Sequence, residues 1–336
     1  MASPLVTVVM VQRDRFSVAP RAIRHLYDET HVPFRFLYID GGSPRSVRKA
    51  LDELQQSLRF PLLRTPHFLT PNQARAIGLR EVTTPYVVFI DNDCLVQPGW
   101  LNALIDAAEE TGAWVVGPLY AEGDPTPERV HVAGGFITIE GEPGQRRFHD
   151  TLRLADLAWS SLPESLTREQ CDFVEFHCML ARADALRGVG GLDQQLLSSR
   201  EHLDVCLRVT DAGGEVWFEP RAVVNFGFPP ELRPTDLPYF LWRWSERAIH
   251  LTVEHFRAKY GLNADYLVIG RSIGRDLRHD ALFEPLRSFA RRSFGPQGER
   301  VLLAALRKTV GRIEPKLNSL VVRPPRARTG VVARTS

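Results

Sequence analysis

The chain has 336 residues, 44% hydrophobic and 24% charged, with a formal net charge of +2 at pH 7. That balance suits one large globular domain, or a domain with an appendage, and excludes wholesale disorder; no stretch nears the ~20 apolar residues of a membrane span. Cys94, Cys171, Cys178 and Cys206 lack CxxC spacing, which argues against a zinc cluster or a disulfide framework and predicts reduced packing residues.

Short apolar β-rich runs at 5–11, 34–39, 61–64 and 86–90 alternate with helix-period segments. This is the pattern of strands joined by right-handed crossovers in a mostly parallel sheet. Val47, Ala50, Leu51, Leu54 and Leu58 recur at helical spacing and predict a helix lying on that sheet. Pro98-Gly99 opens another, with Trp100, Leu101, Leu104 and Ile105 on its apolar side, before a strand at 114–116. Residues 118–170 read as loop-rich, with a hairpin of 136–139 and 146–148 around Gly141-Glu142-Pro143-Gly144. A strand at 173–180, a turn at 188–193, a helix at 199–212 and strands at 216–219 and 222–226 complete the sheet. Past Pro229-Pro230 the chain turns helical, at 235–260 and 298–320. The expected organisation is an α/β domain over 1–230, a helical subdomain over 231–322 and a basic flexible tail over 323–336.

Charge is uneven, because residues 284–336 hold twelve Lys/Arg against three Asp/Glu. Such an end suits an acidic lipid surface, nucleic acid or an acidic partner, or is simply a solvated helix face with a loose terminus. The start of the chain lacks a basic leader, so a cytoplasmic location is expected, with a peripheral contact at the inner membrane face.

In open α/β sheets ligands bind beyond the carboxyl ends of the strands. Those positions are polar here: Gln12, Arg13 and Asp14 after the first strand, Asp40-Gly41-Gly42-Ser43 after the second, and Asp91-Asn92-Asp93 after the fourth. Neither GxGxxG nor GxxxxGK[ST] occurs, which argues against a dinucleotide-binding or P-loop protein. Two carboxylates one residue apart at a strand end suit a hard divalent cation shared with a diphosphate. An isolated Asp-x-Asp is also an ordinary turn with self-capping aspartates, but the run Val87-Val88-Phe89-Ile90 sets this one at a strand end. Arg75, on a short helix at 72–80, suits a phosphate contact, an orienting bond to Asp40, or a surface charge.

Several polar residues have plain structural readings. Ser198-x-x-Glu201 fits a capping box, and Asp204 with Arg208 fits an i,i+4 ion pair. His131, His149 and His177 read as ordinary histidines rather than ligands, while Glu175 and His177 share one face of the 173–180 strand and would face an acceptor.

Taken in order, Ile39-Asp40-Gly41-Gly42-Ser43, Ala74-Arg75-Ala76, Phe89-Ile90-Asp91-Asn92-Asp93, Gly190-Gly191-Leu192-Asp193 and Glu201-His202-Leu203-Asp204 resemble the motif series of the family 2 glycosyltransferases. The resemblance covers about residues 5–226. It implies the A-type glycosyltransferase fold, a nucleotide-binding sheet flanked by helices, with a helical C-terminal extension. It implies a nucleotide-binding set of Val11, Arg13, Asp40, Gly42, Arg75, Asp91 and Asn92, with Asp40 on the base and Asp91 on the ribose or metal. Asp91 and Asp93 would hold the ion, Mn2+ or Mg2+. The activity implied is inverting transfer from a UDP-, GDP- or dTDP-linked sugar to a hydroxyl of a glycan, lipid-linked or small acceptor, and no nucleic-acid partner is expected.

This sequence departs from the pattern at informative places. Gln12-Arg13-Asp14 replaces Thr-Tyr-Asn, Ala76 replaces an asparagine, and Phe226 stands where a histidine after the last strand can complete the metal shell. His202 replaces the catalytic aspartate. A neutral imidazole in the first turn of a helix suits a general base, so His202 leads the expected catalytic set, followed by Glu201 and Asp204. The same replacement leaves open a catalytically inactive nucleotide-sugar-binding partner. A nucleotidyltransferase is disfavoured by the missing glycine-rich loop.

Overall fold

The β-branched run Val6–Val11 forms β1, and Tyr86–Asp91 forms β4; every residue of both is buried, as in strands covered on two faces. A computed structural model describes residues 4–163, 165–227, 230–321 and 333–335. Between those strands come α1 (Ala19–Glu29), β2 (Arg35–Gly41), α2 (Arg45–Leu58), β3 (Leu62–Thr65) and α3 (Pro71–Glu81). Helix α1 is not among the expected elements; it buries Ala19, Ala22, Ile23 and Leu26 behind a proline in its first turn. After β4 follow β5 (Cys94–Val96), α4 (Trp100–Thr111), β6 (Val115–Glu122) and β7 (Arg129–Val132). The expected hairpin forms as β8 (Gly135–Glu140) and β9 (Arg147–Leu152), succeeded by β10 (Glu169–Cys171), β11 (Cys178–Arg182), α5 (Ala183–Gly188) and α6 (Glu201–Asp211). The chain continues through β12 (Val216–Phe226), α7 (Leu237–Arg243), α8 (Glu246–Tyr260), α9 (Asp265–Val321) and β13 (Ala333–Thr335).

The main sheet runs β10-β12-β6-β11-β4-β1-β2-β3-β13. Strands β4, β1, β2 and β3 are parallel, β11 lies antiparallel between β4 and β6, and β6 pairs parallel with β12. The carboxyl ends of β1, β2 and β4 therefore share one edge, where Arg13, Asp40 and Asp91 lie. Helix α3 reaches that edge because it can lie directly on β1: a Cβ on Gly78 would stand 2.3 Å from Val9 Cγ1. Its start is set by a capping box, with Thr70 and Gln73 each closing the other's backbone N–H.

The expected strand at 173–180 begins only at Cys178. Tyr120 Oη accepts the Glu175 N–H at 3.0 Å and donates to the Cys178 carbonyl at 2.8 Å, holding residues 175–178 in a turn. The two expected strands at 216–226 are one strand, with a register shift between Glu219 and Val223. The expected helix at 235–260 divides at Ser245, whose hydroxyl caps α8 at Ala248 N. Helix α9 starts well before the expected 298 and bends at Gly295, whose φ of 67° and ψ of −176° leave the helical region.

Past residue 230 the helices dock closely on the α/β layer. Asp236 accepts the Phe16 and Ser17 N–H groups and the Ser17 hydroxyl, and Thr252 Oγ1 accepts the Leu197 and Ser198 N–H groups. Of the expected tail, residues 323–332 and 336 lie outside the described residues, and Ala333–Thr335 pairs antiparallel with β3. The four cysteines are free and buried. Among the described residues, no helix is long and apolar enough to cross a membrane.

Candidate active site

Strand β4 delivers Asp91-Asn92-Asp93 to the sheet edge, and the three side chains take different roles. Asp91 is fully buried, with Arg75 Nη2 at 2.5 Å from Oδ1 and Arg13 Nη1 at 3.0 Å from Oδ2. Asn92 brackets the loop after β1: its Oδ1 accepts the Arg13 N–H and its Nδ2 donates to the Arg15 carbonyl. The Asn92 N–H is bonded to the carbonyl of Val11, which fixes the end of β1 against the triplet. Asp93 is also buried, but its Oδ1 has no hydrogen-bond partner, and burial pushes its carboxyl up to about 6.

Asp40, at the end of β2, is oriented by Arg64 Nε at 2.7 Å from Oδ2 and by the Ser43 N–H at 2.8 Å from Oδ1. Arg64 thus supplies the orienting bond that the sequence offered to Arg75. Gly42 turns the chain with a φ of 90°, and its Cα approaches the His67 backbone so closely that a Cβ would lie at 3.1 Å. Arg75 is neither a surface charge nor a partner of Asp40. Fully buried, it bridges Asp91 to Glu201 Oε1 at 3.4 Å and lies over the Phe176 ring at 4.3 Å.

Across the edge lies a cavity of about 220 Å³, lined by Arg13, Asp14, Asp93, Glu175, His177, Glu201, His202, Arg243 and Trp244 among others. Asp14 is held there by Arg243 and by Trp244 Nε1, so α7 closes one wall. Glu201 and His202 enter at the start of α6, after Arg200 in a left-handed conformation with φ 71°. The expected capping box is absent: Arg200 holds the cap position, and the Ser198 hydroxyl lies 3.2 Å from Thr252 Oγ1. Burial opposes ionisation of Glu201, but Arg75 and Arg243 outweigh it and hold the carboxyl below its usual range. Its Oε2 has no partner. Burial pushes the His202 imidazole below 6.5 against the pull of Glu175 and Glu201, which leaves a neutral ring at physiological pH.

Asp204 does not reach the cavity lining. Its carboxylate takes Arg208 at 2.9 Å, Tyr260 Oη at 2.8 Å and Lys259 Nζ at 2.6 Å. The i,i+4 pair therefore forms, though with Asp204 buried rather than on the helix surface, and Arg208 also bonds the Val189 and Gly191 carbonyls, locking the glycine turn. Asp193 from that turn pairs with His255 and Lys259 of α8 at 2.9 and 2.8 Å.

Two histidines that read as ordinary in the sequence are brought into the cavity by the fold. His177 lies flat on Phe226, with ring centroids 4.0 Å apart and planes 13° from parallel. His131 Nδ1 is 3.2 Å from Glu122 Oε1, His131 Nε2 is 3.2 Å from Glu175 Oε2, and His177 Nε2 is 3.3 Å from the same oxygen. Burial disfavours a charged His131, but the two carboxylates win and push it up to about 9, whereas burial and Arg13 keep His177 neutral. The signal available in the sequence was polar Glu175 and His177 within an otherwise apolar run. A divalent ion fits this corner, because a carboxylate oxygen of Asp93, the Cys94 sulfur and a ring nitrogen of His177 lie within 4.8 Å of one another.

The model of glycosyl transferase family 2 matches residues 7–187, more than half of the chain. The chain belongs to glycosyl transferase family 2. This family 2 chain is 28% identical over 231 residues to the pre-mycofactocin glycosyltransferase of Mycobacterium tuberculosis; the match covers 68% of the chain and 44% of that relative's length. It is 26% identical over 227 residues to the succinoglycan biosynthesis protein ExoM of Rhizobium meliloti, covering 66% of each. Among solved structures it superposes on GalNAc-T7 with a TM-score of 0.55 at 16% identity, over 81% of this chain and 55% of that one. A mannosyltransferase of Pyrobaculum calidifontis gives 0.52 at 13% identity, over 96% and 86% of the two chains. These likenesses show the A-type glycosyltransferase fold.

Proposed function

We propose that this family 2 enzyme moves a sugar, with inversion, from a UDP-, GDP- or dTDP-linked donor to an acceptor hydroxyl, assisted by Mn2+ or Mg2+. The observation that carries the reading is the divided strand end: Asp91 is fully paired with arginines, while Asp93 Oδ1 is buried and unpartnered beside a cavity holding His202. The solved GalNAc-T7 holds UDP and Mn2+, and the Pyrobaculum enzyme holds GDP-Man and Mn2+, which supports the donor class and the ion.

In this mechanism Val11, Asp40 and Gly42 border the nucleoside, and Arg64 keeps the Asp40 carboxylate aimed at the base. Arg13, anchored on Asp91 and Asn92, stands between the nucleotide and the cavity, while Arg75 holds Asp91 and Glu201 in register. The ion, held by Asp93, would neutralise charge developing on the departing diphosphate. His202 accepts the acceptor's proton as its oxygen attacks the anomeric carbon from the face opposite the leaving group. The nearby carboxylates of Glu175 and Glu201 favour the imidazolium that results. Incubation with a panel of nucleotide sugars and acceptors, with product configuration read by proton NMR coupling, tests this; the expected product has the inverted anomeric configuration. Nucleotide binding without turnover on any donor would instead support the inactive binding partner.

The arginine-rich end supports a peripheral contact with an acidic membrane, at the cytoplasmic face. Phe289 and Phe294 of α9 are 57% and 67% exposed beside Arg291 and Arg292. Sedimentation with phosphatidylserine vesicles should exceed that with neutral vesicles, and equal pelleting would overturn the contact.

A further inference from the structure

We infer that His177, through Nδ1, is a direct ligand of the divalent ion beside Asp93, with Glu175 as the group that holds its ring, and that this nitrogen makes the site favour Mn2+ or Co2+ over Mg2+. The inference deepens the functional reading above and rests on its ion at Asp93.

Proton placement decides which ring nitrogen is available. Glu175 Oε2 lies 3.3 Å from His177 Nε2, at ion-pair distance, so Nε2 is the nitrogen that faces the carboxylate and the Nδ1 lone pair is the one left for an ion. His177 is 3% exposed and its Nδ1 has no hydrogen-bond partner. The ionisable atom beside it, Asp91 Oδ2 at 3.6 Å, is another acceptor and already takes Arg13. Asp93 Oδ1 is a second buried acceptor without a partner in the same corner. Two such lone pairs, each costly to bury unmet, are both satisfied by one cation.

The alternative grouping of His131, Glu175 and His177 is closed on itself, since Glu175 Oε2 is hydrogen-bonded to His131 and lies 3.3 Å from His177 Nε2, and Glu122 takes the other nitrogen of His131. Cys94 is likewise committed, its thiol donating to the His177 carbonyl at 3.2 Å. That leaves Asp93 and the Nδ1 side of His177. The ring is already oriented for coordination, being stacked on Phe226 with its Nε2 facing a carboxylate at 3.3 Å, the outer-shell arrangement that positions metal-binding histidines. Phe226, at the end of β12, is therefore the platform for a ligand delivered by the 175–178 turn. An imidazole nitrogen in the shell selects transition ions over Mg2+, which keeps to oxygen.

The test uses the full chain with Mn2+ alone and with Mn2+ plus UDP, followed by electron paramagnetic resonance. Wild type should show 14N coupling to Mn2+; His177→Gln should lose it, and His131→Gln should keep it. Mn2+ affinity should fall at least ~10-fold in His177→Gln and about 10-fold in Glu175→Gln, with Mg2+ affinity changed far less. Absence of nitrogen coupling in the wild type overturns the inference with no variant needed, as does wild-type Mn2+ affinity in a folded His177→Gln. Nitrogen-coupled Mn2+ without turnover of any nucleotide sugar would sink the functional reading and leave this ligand standing. Turnover with an ion bound only by oxygen would do the reverse.

Discussion

Asp91 and Asp93 leave the same strand two residues apart, yet they end in opposite electrostatic states. Asp91 is enclosed by Arg13 and Arg75 and has its charge fully matched, whereas Asp93 keeps an unpartnered oxygen and a carboxyl pushed up to about 6. The paired side sets the position of two arginines and, through Arg75, of Glu201. The unpaired side carries stored electrostatic demand, the usual mark of a place where a ligand or reacting group belongs. One sequence motif thus contains a paired half and an unpaired half.

The comparison breaks most visibly at Arg75. Arg75→Met strips a cation from two buried carboxylates and should cost about 3–5 kcal/mol in chemical denaturation, with activity lost as well. An unchanged midpoint would show that Asp91 and Glu201 do not depend on it. Asp93→Asn should do the opposite to stability. Its folded-state value lies above the unfolded 3.8, so the carboxylate destabilises the fold progressively from pH 3.8 to about 6 and fully above. The variant should be more stable by about 3 kcal/mol at pH 7 and unchanged near pH 3, while turnover falls on the order of 10²–10³-fold. A variant that loses stability at neutral pH would place Asp93 on the structural side.

A smaller effect is expected on the opposite wall. His202→Ala should lower turnover by about 10²-fold with little change in donor affinity. Because burial depresses this ring, the wild-type rate should rise with pH through an apparent pKa below 6.5, and the variant should lose that limb. A pH profile identical in the two proteins would remove His202 as the base and bring forward Glu201, whose Oε2 is free of partners in the same cavity. Least affected should be Asp193→Asn, which concerns a paired aspartate outside the cavity. Partial burial opposes its ionisation, but Lys259 and His255 pull it down to about 2, so its stabilisation is complete above pH 3.8 and is lost as pH falls through about 2. The expected loss is about 1 kcal/mol at pH 7 and shrinks to nothing well below pH 2, with normal turnover.

The fold and the strand-end acids were legible because both are written in short-range patterns. An apolar, β-branched run as short as 86–90 reads as a buried strand, and a polar triplet directly after it emerges at the sheet edge. The same locality misled at Ser198 and Glu201, where the spacing of a capping box was present but Thr252, distant in the chain by 54 residues, took the hydroxyl. Arg75 shows the limit most clearly. Its motif marked it as important, but its partners Asp91 and Glu201 lie 16 and 126 residues away, and nothing in the spacing pairs them.

What the sequence determined by itself is the alternation of strands and helices, the family's motif order and the delivery of Asp40, Asp91 and Asp93 to one edge, since hydrophobic periodicity and chain direction suffice for each. Only the tertiary structure decided which of those acids is paired and which is not. It also brought His131, the Glu175–His177 turn and Phe226 from separate segments to one corner, because burial and charge pairing are properties of neighbours in space, and those neighbours come from distant parts of the chain.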